Sequence, residues 1–414
     1  MSARPPSDFR SYFDFSLMLW AVPFVGLYAT DAIYHLARSS PLFSKPIELC
    51  LLALFPFVLR VHLPDYFRNG LRSTSRFVVD NQHIILPYLG LVLIGLGGAV
   101  LPGVAMASDS ATKSVFILVY RFLVLLGAMS MALLLRQQGA RWVLTATLAL
   151  LIYSVFWDLN DPTFESQVAD RASGFPGNPN ISSLVTAMLL AMVVRYDRVY
   201  VVDLVILFAA GISIFLTLSR GGLFTYAIFL VIYLYFTGRH NRLAQMVVLP
   251  FIAAIIIPVV LFSVDHLIQS SEMFEGENAQ RRLETFSFGT QSEGVYETDN
   301  IRLNLIPQYF ALIDDAPIFG HGSGFSRSMP FRPHNMYLEF WVNNGIISLL
   351  CYIWFLLSLL IVSYRRQYPA GVALAVIAII GGFFSHSIAQ YPAFLFSAGF
   401  VTSLSWLKKA GDDG

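Results

Sequence analysis

Long apolar runs constrain this chain more than any other feature of its sequence. A helix that crosses a bilayer needs about 20 apolar residues, and about twelve runs approach that length. They are found at 14–34, 46–63, 83–104, 114–135, 142–157, 181–195, 199–218, 222–237, 244–264, 336–363, 370–387 and 392–407. Only helices and closed barrels satisfy the backbone in lipid, and the runs lack the alternation of barrel strands. The sequence therefore predicts an all-α polytopic integral membrane protein, with residues 1–414 forming a single transmembrane domain.

The composition supports this class and excludes others. Of 414 residues, 56% are hydrophobic and 13% are charged, whereas soluble domains carry about 25% charged residues. The net charge of +1 gives no general attraction to nucleic acid. The two cysteines, Cys50 and Cys351, lie within apolar runs, so no disulfide framework is inferred.

The distribution of basic residues predicts the orientation. If the amino terminus is cytoplasmic, every inner segment carries at least two basic residues, as the positive-inside rule requires. Both termini are then cytoplasmic. The first run is not followed by a small-residue cleavage site, and we expect it to be a retained helix rather than a signal peptide.

Two outer loops are longer than the other connections. The first covers about 158–180, and the second covers 265–335, between the ninth and tenth predicted helices. Ile301, Leu305, Tyr309 and Leu312 recur every three or four residues, which predicts a helix within the second loop. Long loops in compact domains are usually functional or disordered, and a helix favours function.

The first loop ends in a segment rich in glycine and proline, from Arg171 to Asn180. Asn180 is a candidate N-cap for the sixth helix, and a helix N-terminus beside an arginine can bind an anion. A well-built turn with a capping residue is the structural alternative.

Two further arginines lie in unusual places. Arg220 stands in a short Ser219-Arg220-Gly221 turn on the outer side, where the charge rule disfavours it. It either binds a ligand or only extends its guanidinium toward the membrane surface. Arg121 lies within a predicted helix, where a charge costs at least ~2.5 kcal/mol. It either has a function or pairs with Asp31 or Asp203.

The densest polar group follows Arg302. A glycine-rich turn from Gly320 to Phe325 precedes His334 and Asn335, at the predicted start of the tenth helix. An imidazole with a reference pKa of about 6.5 can accept a proton near neutral pH, as a general base does. A helix-capping histidine at the interface is the alternative.

These residues together resemble the O-antigen ligase and polymerase superfamily of bacterial envelope enzymes. The resemblance covers the pattern of about twelve helices and is most specific between residues 301 and 347. It rests on the following motifs: the segment Arg171 to Asn180, Ser219-Arg220-Gly221, Arg302, the Gly320 to Phe325 turn, and His334-Asn335 with Tyr337-Leu338. The length of the chain and its late long loop look most like the lipopolysaccharide O-antigen ligases of that superfamily. His321 stands where the family turn often has a small or apolar residue, and we do not infer a second catalytic histidine from it.

The resemblance implies a GT-C-like fold in the bacterial inner membrane, with a periplasmic active site. It implies transfer of O-antigen from undecaprenyl pyrophosphate to a sugar hydroxyl of lipid A–core, without a cofactor. His334 would be the base, and Arg220 and Arg302 would bind the pyrophosphate, with Arg171 and Arg121 as further candidates. Asn180, Ser219, Gly221, Asn335 and Tyr337 would support them.

We expect no metal at this site. Asp314-Asp315 is the only adjacent acidic pair on the outer loop, and consecutive helical residues point about 100° apart. The arginines can replace a metal ion. The expected partners are the two lipid-linked substrates and membrane lipids, with the chain as a monomer.

Three alternatives remain open at the level of sequence. An O-antigen polymerase would use a second lipid-linked glycan as acceptor, and a protein-directed O-oligosaccharyltransferase would use a protein. A lipid or sugar transporter would place its site near the bilayer midplane, often within repeats, but the polar residues here cluster on one face.

Overall fold

The structure, a computed structural model, describes residues 15–40, 43, 45–69, 77–100, 108–161, 164, 171–238, 305–329, 332–385 and 387–412. No strand is found within these ranges. The main helices are α1 (Phe15–Ala29), α2 (Ala32–Ser39), α3 (Pro46–Asn69), α4 (Gln82–Val100), α5 (Ser108–Asn160), α6 (Pro179–Val193), α7 (Val201–Leu216), α8 (Arg220–Gly238), α9 (305–315), α10 (Phe325–Ser328), α11 (Met336–Arg365), α12 (Pro369–Phe384) and α13 (Pro392–Asp412).

The predicted all-α class is confirmed for the described residues, and the apolar helices are consistent with a membrane protein. Three helical stretches are long and apolar enough to span a bilayer: Phe116–Asn160, Arg220–Gly238 and Met336–Arg365. Several others are shorter apolar helices. The run at 244–264 lies outside the described residues, so the twelve-span count stays a prediction.

The first apolar run is not the single straight helix that the sequence predicts. The chain bends by 88° between α1 and α2, and Asp31 at the bend adopts a left-handed backbone with φ of 62°. The pair is either a broken span or a re-entrant loop. A second interruption occurs inside α5, where Arg136 has φ of 55° and ψ of −174° and separates the two predicted runs there.

Helix α5 is central to the bundle. It packs against α1, α3, α4, α6 and α13, while α11 packs against α4 and α12. Small residues allow this close approach: a Cβ on Gly399 of α13 would come within 2.7 Å of the Ala128 Cβ of α5. Cys50 and Cys351 are both free thiols, as expected.

The predicted helix of the second loop is present as α9, over 305–315. Leu305, Tyr309 and Ile313 are buried against Val342 of α11. Leu305 and Tyr309 of the predicted face are thus buried, whereas Leu312 is only partly buried and Ile313 completes the face. Ile301 and the earlier part of the loop lie outside the described residues.

The glycine-rich turn after α9 is fixed to a kink in α11. Gly345 has φ of 76°, and the kink leaves the Val342 and Asn343 carbonyls without helical donors. The His321 and Gly322 amides donate to these carbonyls, at 2.8 and 2.7 Å. The turn is thus sharp and close-packed, as the sequence predicts.

Candidate functional site

Arg171 is a buried side chain that links two segments of the site. Only 1% of its surface is exposed. Its Nε donates to the Thr217 carbonyl at 2.9 Å, and its Nη2 donates to Asn180 Oδ1 at 3.1 Å. The side chain therefore ties the loop before α6 to the end of α7, a structural task that the sequence did not reveal.

Asn180 is not the N-cap of α6, which corrects the prediction. The cap is Asn178, whose side chain accepts from the Asn180 amide, and Pro179 takes the first helical position. Asn180 lies inside the first turn of α6, so its side chain does not cap the helix. Its Oδ1 instead accepts from Arg171 and from Ser219 Oγ, the latter at 3.0 Å.

A buried carboxylate that the sequence analysis missed holds this loop in place. Asp158 Oδ2 accepts from Ser173 N at 2.6 Å, Ser173 Oγ at 3.1 Å and Gly174 N at 3.0 Å. Gly174 has φ of 58°, and a Cβ there would collide with Ser154. The signal available in the sequence was an acidic residue directly after the apolar run 142–157, at the start of the first outer loop.

The Ser219-Arg220-Gly221 turn begins α8. Leu218 before it is buried and left-handed, with φ of 49°. Ser219 Oγ accepts from Gly222 N at 3.2 Å, and Arg220 is half-buried at the first residue of the helix. A Cβ on Gly221 would come within 3.2 Å of the Phe384 Cβ, so this end of α8 lies against the end of α12.

His334 lies just before α11 rather than at its first residue. Asn335 is the N-cap, and its Oδ1 accepts from the amides of Tyr337 and Leu338 at 3.0 and 3.2 Å. His334 is exposed and left-handed, with φ of 43°. Non-glycine residues with positive φ are uncommon and cluster at functional sites. The capping alternative is excluded for this helix, since Asn335 provides the cap.

Tyr337 connects α11 to α12. Its hydroxyl donates to the Ile379 carbonyl at 2.7 Å, and its ring lies 4.7 Å from that of Phe383. Phe384, the next residue, contacts the start of α8 at Gly221. The N-termini of α6, α8 and α11 therefore meet at one end of the bundle, through α12.

Arg121 belongs to a separate buried group beneath this end. It lines a cavity of about 40 Å³ together with Arg327 and Glu339. Burial lowers the pKa of Arg327, and the Glu339 carboxylate opposes that shift. Asp203, one of the two alternative partners considered for Arg121, binds two other arginines at the opposite end of the bundle.

The remaining predicted residues have mixed outcomes. Arg302 lies outside the described residues. His321 has a structural role, because its Nε2 lies 2.8 Å from the Leu312 carbonyl oxygen and its ring stacks on Phe325. Asp314 and Asp315 are both exposed on α9. Within the described ranges, no three His, Cys, Asp or Glu side chains are grouped to hold a metal ion.

Comparison with known families adds one match. Residues 204–353 match the family model described as O-antigen ligase. The matched stretch covers most of α7, all of α8, α9 and α10, and the N-terminal part of α11. It therefore includes Ser219, Arg220 and His334. No curated protein sequence matches the chain.

Proposed function

We propose that the protein is an O-antigen ligase. The match of residues 204–353 to the O-antigen ligase family model supports membership of the O-antigen ligase and polymerase superfamily. The family comprises glycosyltransferase-like enzymes that act on lipid-linked polysaccharides in bacterial membranes. The proposed reaction transfers O-antigen polysaccharide from undecaprenyl pyrophosphate to a sugar hydroxyl of lipid A–core. It takes place on the periplasmic side of the inner membrane, with inversion and without a metal.

One observation carries the proposal: the N-termini of α6, α8 and α11 converge at one end of the bundle, with Arg220 and His334 on two of them. Helix N-termini carry partial positive charge and attract anions. Arg220 adds a guanidinium that stays ionised and can donate paired hydrogen bonds to phosphate oxygens. This end of the bundle therefore suits a diphosphate.

His334 is the proposed general base. Its side chain is exposed beside the start of α11, where an acceptor hydroxyl can reach the imidazole. The imidazole takes the hydroxyl proton while the acceptor oxygen bonds to C1 of the donor sugar. The bond between C1 and the phosphate oxygen breaks on the face of C1 opposite to the attacking oxygen. Undecaprenyl pyrophosphate leaves with the electron pair of that bond.

Arg220 and Arg302 are the proposed stabilisers of the charge on the leaving diphosphate, and stabilising developing charge is usually the largest catalytic contribution. Arg171 acts through its contacts. Its bonds to Thr217 and Asn180 hold the turn that carries Ser219 and Arg220. Tyr337 ties the start of α11 to α12, and Asn335 caps that helix, so both hold the segment next to His334.

The test is a transfer assay with purified protein in detergent. Undecaprenyl-pyrophosphate-linked glycan is offered with lipid A–core, or with a second lipid-linked glycan, in the presence of a chelator. We expect transfer to lipid A–core by the wild type and a loss of at least about 100-fold in His334→Ala, the usual scale of general base catalysis.

The matched control is His83→Ala, which removes an exposed histidine at the far end of the bundle and should retain full activity. Growth of the lipid-linked glycan instead of transfer to lipid A–core would identify a polymerase. Full activity of the His334→Ala variant would exclude His334 as the base, and activity restored only by Mg²⁺ would refute metal independence.

A further inference from the structure

A large cavity lies at the end of the bundle opposite the candidate site. Its volume is about 1010 Å³, comparable with the largest ligand pockets of proteins. It is lined by the C-terminal ends of α6 and α11, whose N-terminal ends form the candidate site. Helix α6 has 15 residues, so the two regions are separated by about 22 Å along its axis. This is the end that the basic-residue distribution predicts to be cytoplasmic.

Two arginines are held in the cavity wall by one buried carboxylate. Asp203 is fully buried, and its two oxygens accept from Arg141 Nη2 at 3.1 Å and from Arg195 Nε at 3.0 Å. The guanidinium of Arg195 also lies 3.4 Å from the centre of the Tyr200 ring. These contacts leave 32% and 31% of the arginine side chains exposed, and both residues line the cavity.

The charge of the cavity is positive overall. Arg365 and Lys408 line it as well as the two fixed arginines, and Asp197 is the acidic residue among the described lining residues. With Asp203 behind the arginines, four cationic groups face two carboxylates. The remaining positive charge attracts an anion, and the planar arginine fork can donate paired hydrogen bonds to phosphate oxygens.

Part of the remaining lining is apolar, and part consists of glutamine and tyrosine side chains. Leu144, Met192, Phe236 and Val372 are among the lining residues, and they lie on apolar helices of the bundle. A ligand that fits both the basic and the apolar parts of this lining has a charged phosphate headgroup and a hydrocarbon chain. Basic pockets between helices on the cytoplasmic side of a membrane are suited to anionic lipid headgroups.

We propose that this cavity binds the phosphate headgroup of an anionic phospholipid from the cytoplasmic leaflet. Arg141 and Arg195 are held in place by Asp203. Arg365 of α11 and Lys408 of α13 provide two further positive charges in the cavity wall. The lipid ties the middle of α5, just after its break at Arg136, to the C-terminal ends of α6, α11 and α13, at a position remote from the chemistry.

The test measures lipid binding to the full chain in detergent by native mass spectrometry. Phosphatidylglycerol is titrated and compared with phosphatidylcholine of the same acyl chains. The variant Arg365→Gln/Lys408→Gln removes two lining charges without disturbing the buried Asp203 network. The matched control Arg198→Gln/Lys409→Gln removes two exposed charges at the same end that are not among the lining residues.

We expect phosphatidylglycerol to bind at least tenfold more tightly than phosphatidylcholine. The lining variant should lose roughly 10- to 30-fold in affinity, as expected for two charges at a lipid surface, and the control should lose less than threefold. Equal losses in the two variants would overturn the proposal, as would equal binding of the two lipids. Displacement of the lipid by millimolar inorganic phosphate would instead assign the site to a soluble phosphate compound.

Protein stability is checked by thermal unfolding of each variant in detergent. If the double lining variant unfolds at a lower temperature than the control, the single change Lys408→Gln replaces it. The described bond of the Lys408 side chain is to the Gln367 carbonyl at 2.8 Å, so its loss leaves the helices intact. Retention of full phosphatidylglycerol affinity in that variant and in Arg365→Gln would refute the site.

Discussion

At the scale of single residues, the arginines that look alike in the sequence have different environments. Arg171 is buried and bonded to protein acceptors, whereas Arg220 is half-buried at a helix start. Both are candidates for the diphosphate by residue type alone. The difference in burial indicates that Arg171 stabilises the protein around the site, whereas Arg220 can contact a substrate.

This difference predicts opposite effects of substitution. Arg171→Lys keeps the charge but cannot reproduce the planar fork, so the Thr217 carbonyl and Asn180 lose donors inside the protein. We expect the free energy of unfolding to fall by about 2–3 kcal/mol, measured by thermal and denaturant unfolding in detergent.

The matched variant Arg220→Lys should unfold within about 0.5 kcal/mol of the wild type, as substitutions outside the core usually do. Its transfer rate should nevertheless fall, because bidentate phosphate contacts are lost. A stable Arg171→Lys protein with reduced activity would instead place Arg171 in contact with substrate.

At the scale of elements, the kink in α11 connects the loop to the bundle. Asn344 and Gly345 depart from helical geometry, and Ile346 N donates to the Pro317 carbonyl at 3.0 Å. Helix α11 therefore carries His334 at one end and accepts the glycine-rich turn at its middle. The position of His334 depends on this packing as well as on its own cap.

Substitution of Gly345 tests that dependence. A Cβ at this residue would collide with the Ile318 carbonyl and would also be strained by φ of 76°. We expect Gly345→Ala to lower the free energy of unfolding by more than about 2 kcal/mol and to reduce transfer activity with it.

Gly97 provides the control for that change. It is helical in α4, and a Cβ there would meet no atom within 4 Å. Gly97→Ala should be neutral or should stabilise the protein by up to about 1 kcal/mol, through the higher helix propensity of alanine. Equal thermal stability of the two variants would show that the kink is not fixed by the turn.

At the scale of the whole molecule, the two ends of the bundle differ in chemistry. One end gathers helix N-termini, glycine-rich turns and His334, and the other gathers basic side chains around a cavity. The positive-inside rule predicts that the basic end is cytoplasmic. The proposed reaction needs the opposite end to be periplasmic.

Cysteine labelling tests this orientation. Asp315→Cys and Lys409→Cys place thiols at exposed positions near opposite ends, in a background in which Cys50 and Cys351 are replaced by alanine. In intact cells with a permeabilised outer membrane, a membrane-impermeant maleimide should label residue 315 and should label residue 409 only after the inner membrane is lysed. The reverse pattern would invert the topology and contradict the proposed periplasmic site.

Much of the fold could be predicted from the sequence because its signals are local. Apolar run length gives the helices, and the period of Leu305, Tyr309 and Leu312 gives α9 and its packing face. The departure occurs at Asp31, where the chain changes direction within a predicted run. Asp31 is neither a glycine nor a proline, so the usual helix-breaking residues do not mark this bend, whereas the break at Arg136 falls between two predicted runs.

The sequence by itself determined the all-helical class and the residue types grouped near one end of the bundle, because hydrophobicity and glycine-rich turns are read over short stretches. The tertiary structure decided which partners those residues have. Arg171 meets Thr217 across 46 positions, Asp203 takes Arg141 from 62 positions away, and neither pairing follows from local spacing. Buried polar groups must find hydrogen-bond partners wherever the fold brings them, so only the packed bundle separates a structural arginine from one that can bind a substrate.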